Sequence, residues 1–142
     1  MISLLSGIDS TASALDAERV RMDVISENIA NVNTTKGLDG KPYKRQQVVF
    51  ESVLNAKQAA GGGAPPQATQ IVRIAKDNRA PRLVYNPSHP EANAQGMVAM
   101  PNINIHEEMV DLIASSRSYE ANLAVIKNAR TMAMEDLSIG KH

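Results

Sequence analysis

All seven prolines of this chain lie between Pro42 and Pro101, and of its eight glycines only Gly7 and Gly140 fall outside residues 37–101. Proline removes a backbone donor and breaks a helix interior, and glycine weakens one. Long uninterrupted helices therefore fit only at the two ends, and the middle must be something else.

The ends carry the matching pattern. Ile8, Leu15, Met22 and Ile29 recur every seven residues, and Leu5, Ala12, Ile25 and Val32 stand three or four positions from members of that row. This is one apolar stripe on a long helix. The run closes in Asn28-Ile29-Ala30-Asn31-Val32-Asn33-Thr34-Thr35, where short polar side chains compete for backbone groups and Asn tolerates the left-handed conformation, so the helix end is expected near Asn31. Near the C-terminus Met109, Leu112, Ser116, Tyr119, Leu123, Ile126, Arg130, Ala133 and Leu137 step by three and four, the seam spacing of a coiled coil with two polar interruptions. Pro101 blocks an earlier start, Asn104 can cap, and Glu107 stands three residues on as in a capping box. The end is expected near Gly140.

Helices of this length run roughly 40 to 50 Å each. Tyr43, Phe50, Tyr85 and Tyr119 are the whole aromatic complement, and Trp is absent, so the middle cannot bury two such helices alone. They must pack on each other or on other chains. Within the middle, Lys36 to Pro42 is turn chemistry, Tyr43 to Leu54 reads as a strand, and Gln70–Ala75 and Arg82–Tyr85 read as short strands. Asn86 to Pro90 is a rigid turn before Met97–Met100, and the Gly and Pro run within 59–68 has linker composition. The expected fold is mainly α with a small β element, the terminal helices pairing as an antiparallel coiled-coil-like hairpin. Three segments follow: an N-terminal helix over 1–35, an extended or β middle over 36–101, and a C-terminal helix over 102–142.

Charge narrows the functional classes. Fifteen bases balance fifteen acids, so the chain as a whole has no bulk attraction to nucleic acid or anionic lipid. The balance is uneven along the chain: residues 37–101 carry eight bases against four acids, whereas both ends are mildly acidic. Arg73, Lys76, Arg79 and Arg82 recur every three residues. Stacking aromatics are nearly absent beside them, which weighs against phosphate binding and leaves two readings: solvated surface charges that contribute almost nothing, or charges that pair with the acidic ends of neighbouring copies and fix register. With no cysteine there is no disulfide framework and no thiolate nucleophile or thiolate metal site. His106-Glu107-Glu108 lacks the second His of a zincin helix, because Val110 occupies that position, and His89 between Pro87 and Pro90 reads as a turn residue. Gly61-Gly62-Gly63 is not followed by the Lys-Ser/Thr pair of a phosphate cradle. No catalytic residue, cofactor, metal, small-molecule substrate or nucleic-acid partner is expected. No run of about 18 apolar residues offers a membrane span, and the first residues lack the basic start of a secretory leader and read as mature protein.

Two function classes fit these features. One is a structural subunit that self-assembles through Leu5, Ile8, Leu15, Met22, Ile25, Ile29 and Val32 of the first stripe and Met109, Leu112, Tyr119, Leu123, Ile126 and Leu137 of the second. The other is a non-polymerising coiled-coil adaptor or secretion-linked binding module that pairs its helices with a different protein.

A resemblance separates them. Ser13-Ala14-Leu15, Arg21-Met22-Asp23-Val24-Ile25-Ser26 and Asn28-Ile29-Ala30-Asn31 are similar to the rod signature of the bacterial flagellar axial proteins. Pro42-Tyr43-Lys44-Arg45, Val84 to Pro90 with Gly96-Met97-Val98, Pro101-Asn102-Ile103-Asn104, Glu108 to Ile113 and Ser116 to Asn122 extend the match over nearly the whole chain. The short length, without a large inserted outer domain, resembles the proximal rod members of that family. The resemblance implies a subunit exported by the flagellar type III apparatus without a cleaved signal peptide. It implies polymerisation in the periplasm, with other copies and other rod proteins, into the drive shaft between motor and hook. Neighbours would be the MS-ring, export-gate and hook-basal-body components, and no enzymatic role comes with it.

Overall fold

A computed structural model describes the backbone of residues 2–54 and 68–139, and within them the side chains of residues 7–50 and 73–139. The element order is α1 (Ile2–Ala30), β1 (Gln46–Leu54), β2 (Ala68–Lys76), β3 (Arg82–Tyr85), β4 (Met97–Met100) and α2 (Ile105–Ile139). Helix thus occupies both ends and strand the proline- and glycine-bearing middle, as the sequence predicts. Of the expected linker at 59–68, residues 59–67 lie outside the described residues, as do the side chain of Leu5 and the helix end at Gly140, and Ala68 is not linker but the first residue of β2.

The ends of the helices form where the local chemistry directs. At the end of α1, Asn31 donates from its backbone and from Nδ2 to the Glu27 carbonyl, at 3.0 and 2.9 Å, and Oγ1 of Thr34 donates to Asn31 Oδ1 at 3.1 Å. The first is the last helical bond, and the Asn31 side chain competes with it for the same carbonyl. A tight loop follows, closed by Gly37 N to Lys41 O at 2.8 Å and turned at Gly40, whose φ of 69° is left-handed. At the start of α2, Asn104 Oδ1 accepts the His106 amide at 3.1 Å, an N-cap bond. Glu107 closes the box in an altered form, accepting from the Asn104 side-chain amide at 3.1 Å. Glu107 and Glu108 also place negative charge on the first turn, where the helix dipole favours it.

The chain divides into two compact units, and each contains a stretch of both helices. The first joins Met1–Val20, Phe50–Arg73 and Ala114–His142; the second joins Arg21–Val49 and Ile74–Ile113. In each unit the early part of one helix meets the late part of the other, so α1 and α2 pack antiparallel. In the first unit Ala17, Ser115 and Ala129 are buried, and such small side chains let helix axes lie close. In the second, Val24, Ile25 and Asn28 of α1 and Glu108 of α2 are buried, together with Val98 of β4 and Pro101 and Ile103 of the following segment. Strands β1 and β2 pair as one two-stranded sheet and β3 and β4 as another. The second pair is antiparallel, with Leu83 opposite Ala99 and Tyr85 opposite Met97. Gly96 precedes β4 at φ 73°, and the Tyr85 ring lies so close over it that a Cβ there would stand 2.9 Å from Tyr85 Cε2.

The packed row on α2 is not the row of its largest apolar residues. Glu108, Ser115 and Ala129 are buried and Leu112, Tyr119, Asn122, Ile126 and Ala133 are half-buried, whereas Met109, Leu123, Arg130 and Leu137 are exposed. Ser116 of the predicted seam is half-buried as well. The reason is local: in the second unit the inward position is needed for the Glu108 carboxylate, and in the first it is filled by small side chains.

Candidate functional site

Two features stand out: a buried polar cluster at the end of α1, and apolar surface left on the outside of α2. The cluster lies within the second unit. The Asn28 side chain donates from Nδ2 to the Gln46 carbonyl at 2.8 Å and accepts the Gln46 amide on Oδ1 at 2.9 Å. That is the double exchange by which two residues pair across an antiparallel ladder, so a side chain on a helix stands where a neighbouring strand would. The second Nδ2 hydrogen goes to Glu108 Oε2 at 3.0 Å, and Oδ1 also accepts the Tyr43 hydroxyl at 3.1 Å. Both amide hydrogens and both oxygen lone pairs of Asn28 are thereby used, which permits its burial at 1% exposure.

Glu108, also 1% exposed, takes Arg45 Nε on its other oxygen at 2.5 Å. Arg45 reaches towards Asp111 at 3.9 Å as well, and its carbonyl accepts the Asp77 amide at 2.8 Å. A buried carboxylate needs a cation and hydrogen bonds to stay charged, and this one has both. Burial, and next the negative charge of Glu27, hold the Tyr43 phenol above its ordinary value. The cluster ties together the end of α1, the loop, the start of β1 and the first turn of α2. Periodicity and spacing leave Asn28, Arg45 and Glu108 unmarked, although all three stand in the strings that carry the family resemblance.

The candidate interface residues separate by exposure. Ile25 is 5% exposed, and Ile8, Leu15, Met22, Ile29, Val32, Leu112, Tyr119 and Ile126 are half-buried. Met109, Leu123 and Leu137 are at least half exposed, and so are Val110, Ile113, Val125, Met132 and Met134. Large apolar residues are thus exposed on more than one side of α2, interspersed with the exposed charges Arg117, Glu120, Lys127 and Arg130.

Of the four candidate register charges, Arg79 has a partner close by in sequence. Arg79 is drawn back onto Asp77, with Nε to Oδ2 at 2.7 Å and its own backbone amide to Oδ1 at 2.9 Å. Those two hydrogen bonds hold the Asp77 carboxyl below its ordinary value. Arg73 and Lys76 are exposed on β2 and Arg82 on β3. His89 accepts the Glu91 amide on Nδ1 at 3.2 Å inside its turn. Among the described residues no group of three or more His, Asp or Glu could hold a metal ion, and no helix is long and apolar enough to cross a membrane.

Two family models match this arrangement. Residues 8–37, from α1 into the loop, match "Flagella basal body rod protein", and residues 94–139, from just before β4 through α2, match "Flagellar basal body rod FlgEFG protein C-terminal". The helical pair with its short β middle is that of a flagellar basal-body rod protein. Individual relatives narrow it further. A flagellar basal-body rod protein FlgC of Bacillus subtilis is 43% identical over 94% of this chain and 96% of its own length. Those of Borreliella burgdorferi, at 39% over 97% and 98%, and of Salmonella typhimurium, at 38% over 99% and 100%, are similar. The chain belongs to the FlgC family of flagellar basal-body rod proteins.

Proposed function

We propose that the chain polymerises, with further copies and with other rod proteins, into the proximal rod, through the apolar surface that α2 leaves uncovered and the half-buried apolar stripe of α1. The observation that carries this reading is the outward apolar surface of α2, from Met109 and Val110 to Leu137. One partner helix covers one face, so a helix with large apolar residues exposed on several other sides has surface left for further neighbours. The terminal segments 1–35 and 102–142 then make the inner part of the shaft and residues 36–101 its outer part. The role is mechanical, transmitting torque from motor to hook, and it assigns no reaction and no cofactor. The subunit reaches the periplasm through the flagellar type III apparatus without a cleaved leader, and the basal-body components around the export gate and hook are its neighbours. Arg73, Lys76 and Arg82, with Arg79, contribute to register at outer contacts.

Exposure supplies the test. Ile25→Asp would place a charge in a packed core at a cost of several kcal/mol and unfold the subunit. Leu123, 50% exposed, can become Asp with a change of only about 0.5 kcal/mol in the free subunit. The Leu123→Asp chain should be folded and exported yet fail to build rods, leaving cells non-motile. Intact rods and normal swimming with Leu123→Asp would refute assembly through this surface and favour an adaptor that never polymerises.

A further inference from the structure

We propose that Leu38 of one copy of this chain docks into an apolar slot in the second unit of the next copy. The inference rests on the polymerising role argued above and adds a contact outside α2. The slot holds about 160 Å³ and lies between residues 41–45 on one side and Asp77, Arg79, Pro81 and Asn102 on the other. Its exposed lining is almost wholly apolar, although five of its nine wall residues carry charge. The guanidinium groups of Arg45 and Arg79 are held by Glu108 and Asp77, so what such residues offer the slot is the carbon of their stems. A cavity of about 150 Å³ with apolar walls stays dry and takes up a molecule the size of benzene. The slot therefore fits one apolar side chain and is too small for a cofactor or metabolite, whose sites run to about 300–1,000 Å³.

The complement stands on the same chain. A lone exposed leucine needs no explanation by itself, but Leu38 is an extreme case: at 109% exposure it is the most exposed large apolar residue among those described, and no described residue covers it. Nor does the turn need it, because such loops are filled by Gly, Asp, Asn, Pro or Ser, and the left-handed position here belongs to Gly40. The loop is firm. Gly37 N donates to Lys41 O at 2.8 Å and Gly40 N to Gly37 O at 2.9 Å, so Leu38 is presented on a closed turn. The slot is held as well: Tyr43 N donates to Thr34 O and Asp77 N to Arg45 O, and Pro42 and Pro81 fix two φ angles. Little backbone freedom remains to be lost when the two meet.

The slot wall begins at Lys41, yet Leu38 stays uncovered in its own subunit and does not fill it. A second copy brings a side chain of the right size and chemistry on a loop that is already formed. Knob and slot are different surfaces of one chain, so the contact is head-to-tail and propagates instead of closing a twofold dimer.

The absence of cysteine makes the test direct. Two single-cysteine versions of the full chain, Leu38→Cys and Pro81→Cys, are produced together in cells lacking the native copy, and their basal bodies are isolated and oxidised with diamide. Each chain has one thiol, so a disulfide joining the two versions lies between copies. Such a product, absent when either version is produced alone, supports the proposal. Assembled rods that contain both versions and yield no such product overturn it and leave the polymerising role standing. A product joining Leu38→Cys to a different rod protein overturns the second-copy occupant. Basal bodies that never incorporate the parent chain overturn both readings. Substitution of the knob alone gives a second measure. Because Leu38 is uncovered, Leu38→Asp and Leu38→Met should leave the urea midpoint of the free subunit unchanged. Burial of a leucine side chain in the rod predicts a rod yield about tenfold lower for Leu38→Asp, and one within about twofold of the parent for Leu38→Met, which keeps the volume and the apolar character. Parental rod yield from Leu38→Asp overturns the proposal, and so does a shifted midpoint, which would assign Leu38 to the subunit's own fold.

Discussion

Replacing Arg45 by Met removes the cation from a carboxylate that water cannot reach. Glu108 is 1% exposed and the Arg45 side chain 16%, so among the described residues the charge left behind has only the Asn28 amide, at 3.0 Å, as a partner. Breaking a buried ion pair from one side costs about 3–5 kcal/mol. The lower end applies here, because one carboxylate oxygen keeps its hydrogen bond and the first-turn position gains about 0.3–1 kcal/mol from the helix dipole. With a urea dependence of about 2 kcal/mol per molar for a domain of this size, a loss of about 3 kcal/mol lowers the unfolding midpoint by about 1.5 M at unchanged slope. The double variant Arg45→Met, Glu108→Met removes both charges and should return to within about 1–2 kcal/mol of the parent, the remainder being one unpaired Asn28 hydrogen. Circular dichroism across a urea series measures both, and exchange of the Gln46 amide, which donates to Asn28 at 2.9 Å, reports the same loss locally. A single variant whose midpoint stays within about 0.3 M of the parent, or a double variant as unstable as the single one, would refute the argument that Glu108 depends on Arg45.

Other consequences are open to the same kind of measurement. Gly96→Ala combines a left-handed φ of 73° with a Cβ 2.9 Å from the Tyr85 ring, and should cost about 2 kcal/mol or more; a thermal melt matching the parent would show that the ring moves aside freely. Tyr43 has a raised folded pKa, so the folded state holds its proton more tightly than the unfolded one. Its contribution is therefore complete below the ordinary value of 10.0 and is lost as pH rises through the folded value. Thermal melts from about pH 9 to about pH 12 should fall more steeply for the parent than for Tyr43→Phe, which at neutral pH lacks only the hydroxyl bond to Asn28, worth about 1 kcal/mol.

The backbone was readable because its signals are local. Confinement of proline and glycine to the middle set the helices apart, Asn104 marked the start of α2, and Arg82–Tyr85 read correctly as a strand. The polar cluster was not readable by those means. Asn28 and Glu108 are 80 positions apart, and Arg45 and Glu108 63, so no periodicity connects them. Hydrophobic patterning marks only part of the packed row on α2: Leu112, Tyr119 and Ile126 are half-buried, whereas Met109 and Leu123 are exposed and each stands one position beyond Glu108 and Asn122, which are polar yet turned inward. In a chain whose outer surface is also apolar, hydrophobicity reports where partners go as well as where the core lies.

The pairing of Asn28 with Gln46 also fixes how a mechanical load travels through the subunit. Along the covalent chain the two residues are 18 positions apart, a path that could stretch to about 60 Å if pulled straight. Two hydrogen bonds from one carboxamide bypass that slack. A pull along β1 loads both at once, in shear, and passes directly into the last turn of α1 while the loop between them stays relaxed. The stiffness of the joint therefore resides in one side chain instead of in the length of loop around it, and shortening or deleting the loop tip would leave the coupling intact as long as that carboxamide keeps its two partners.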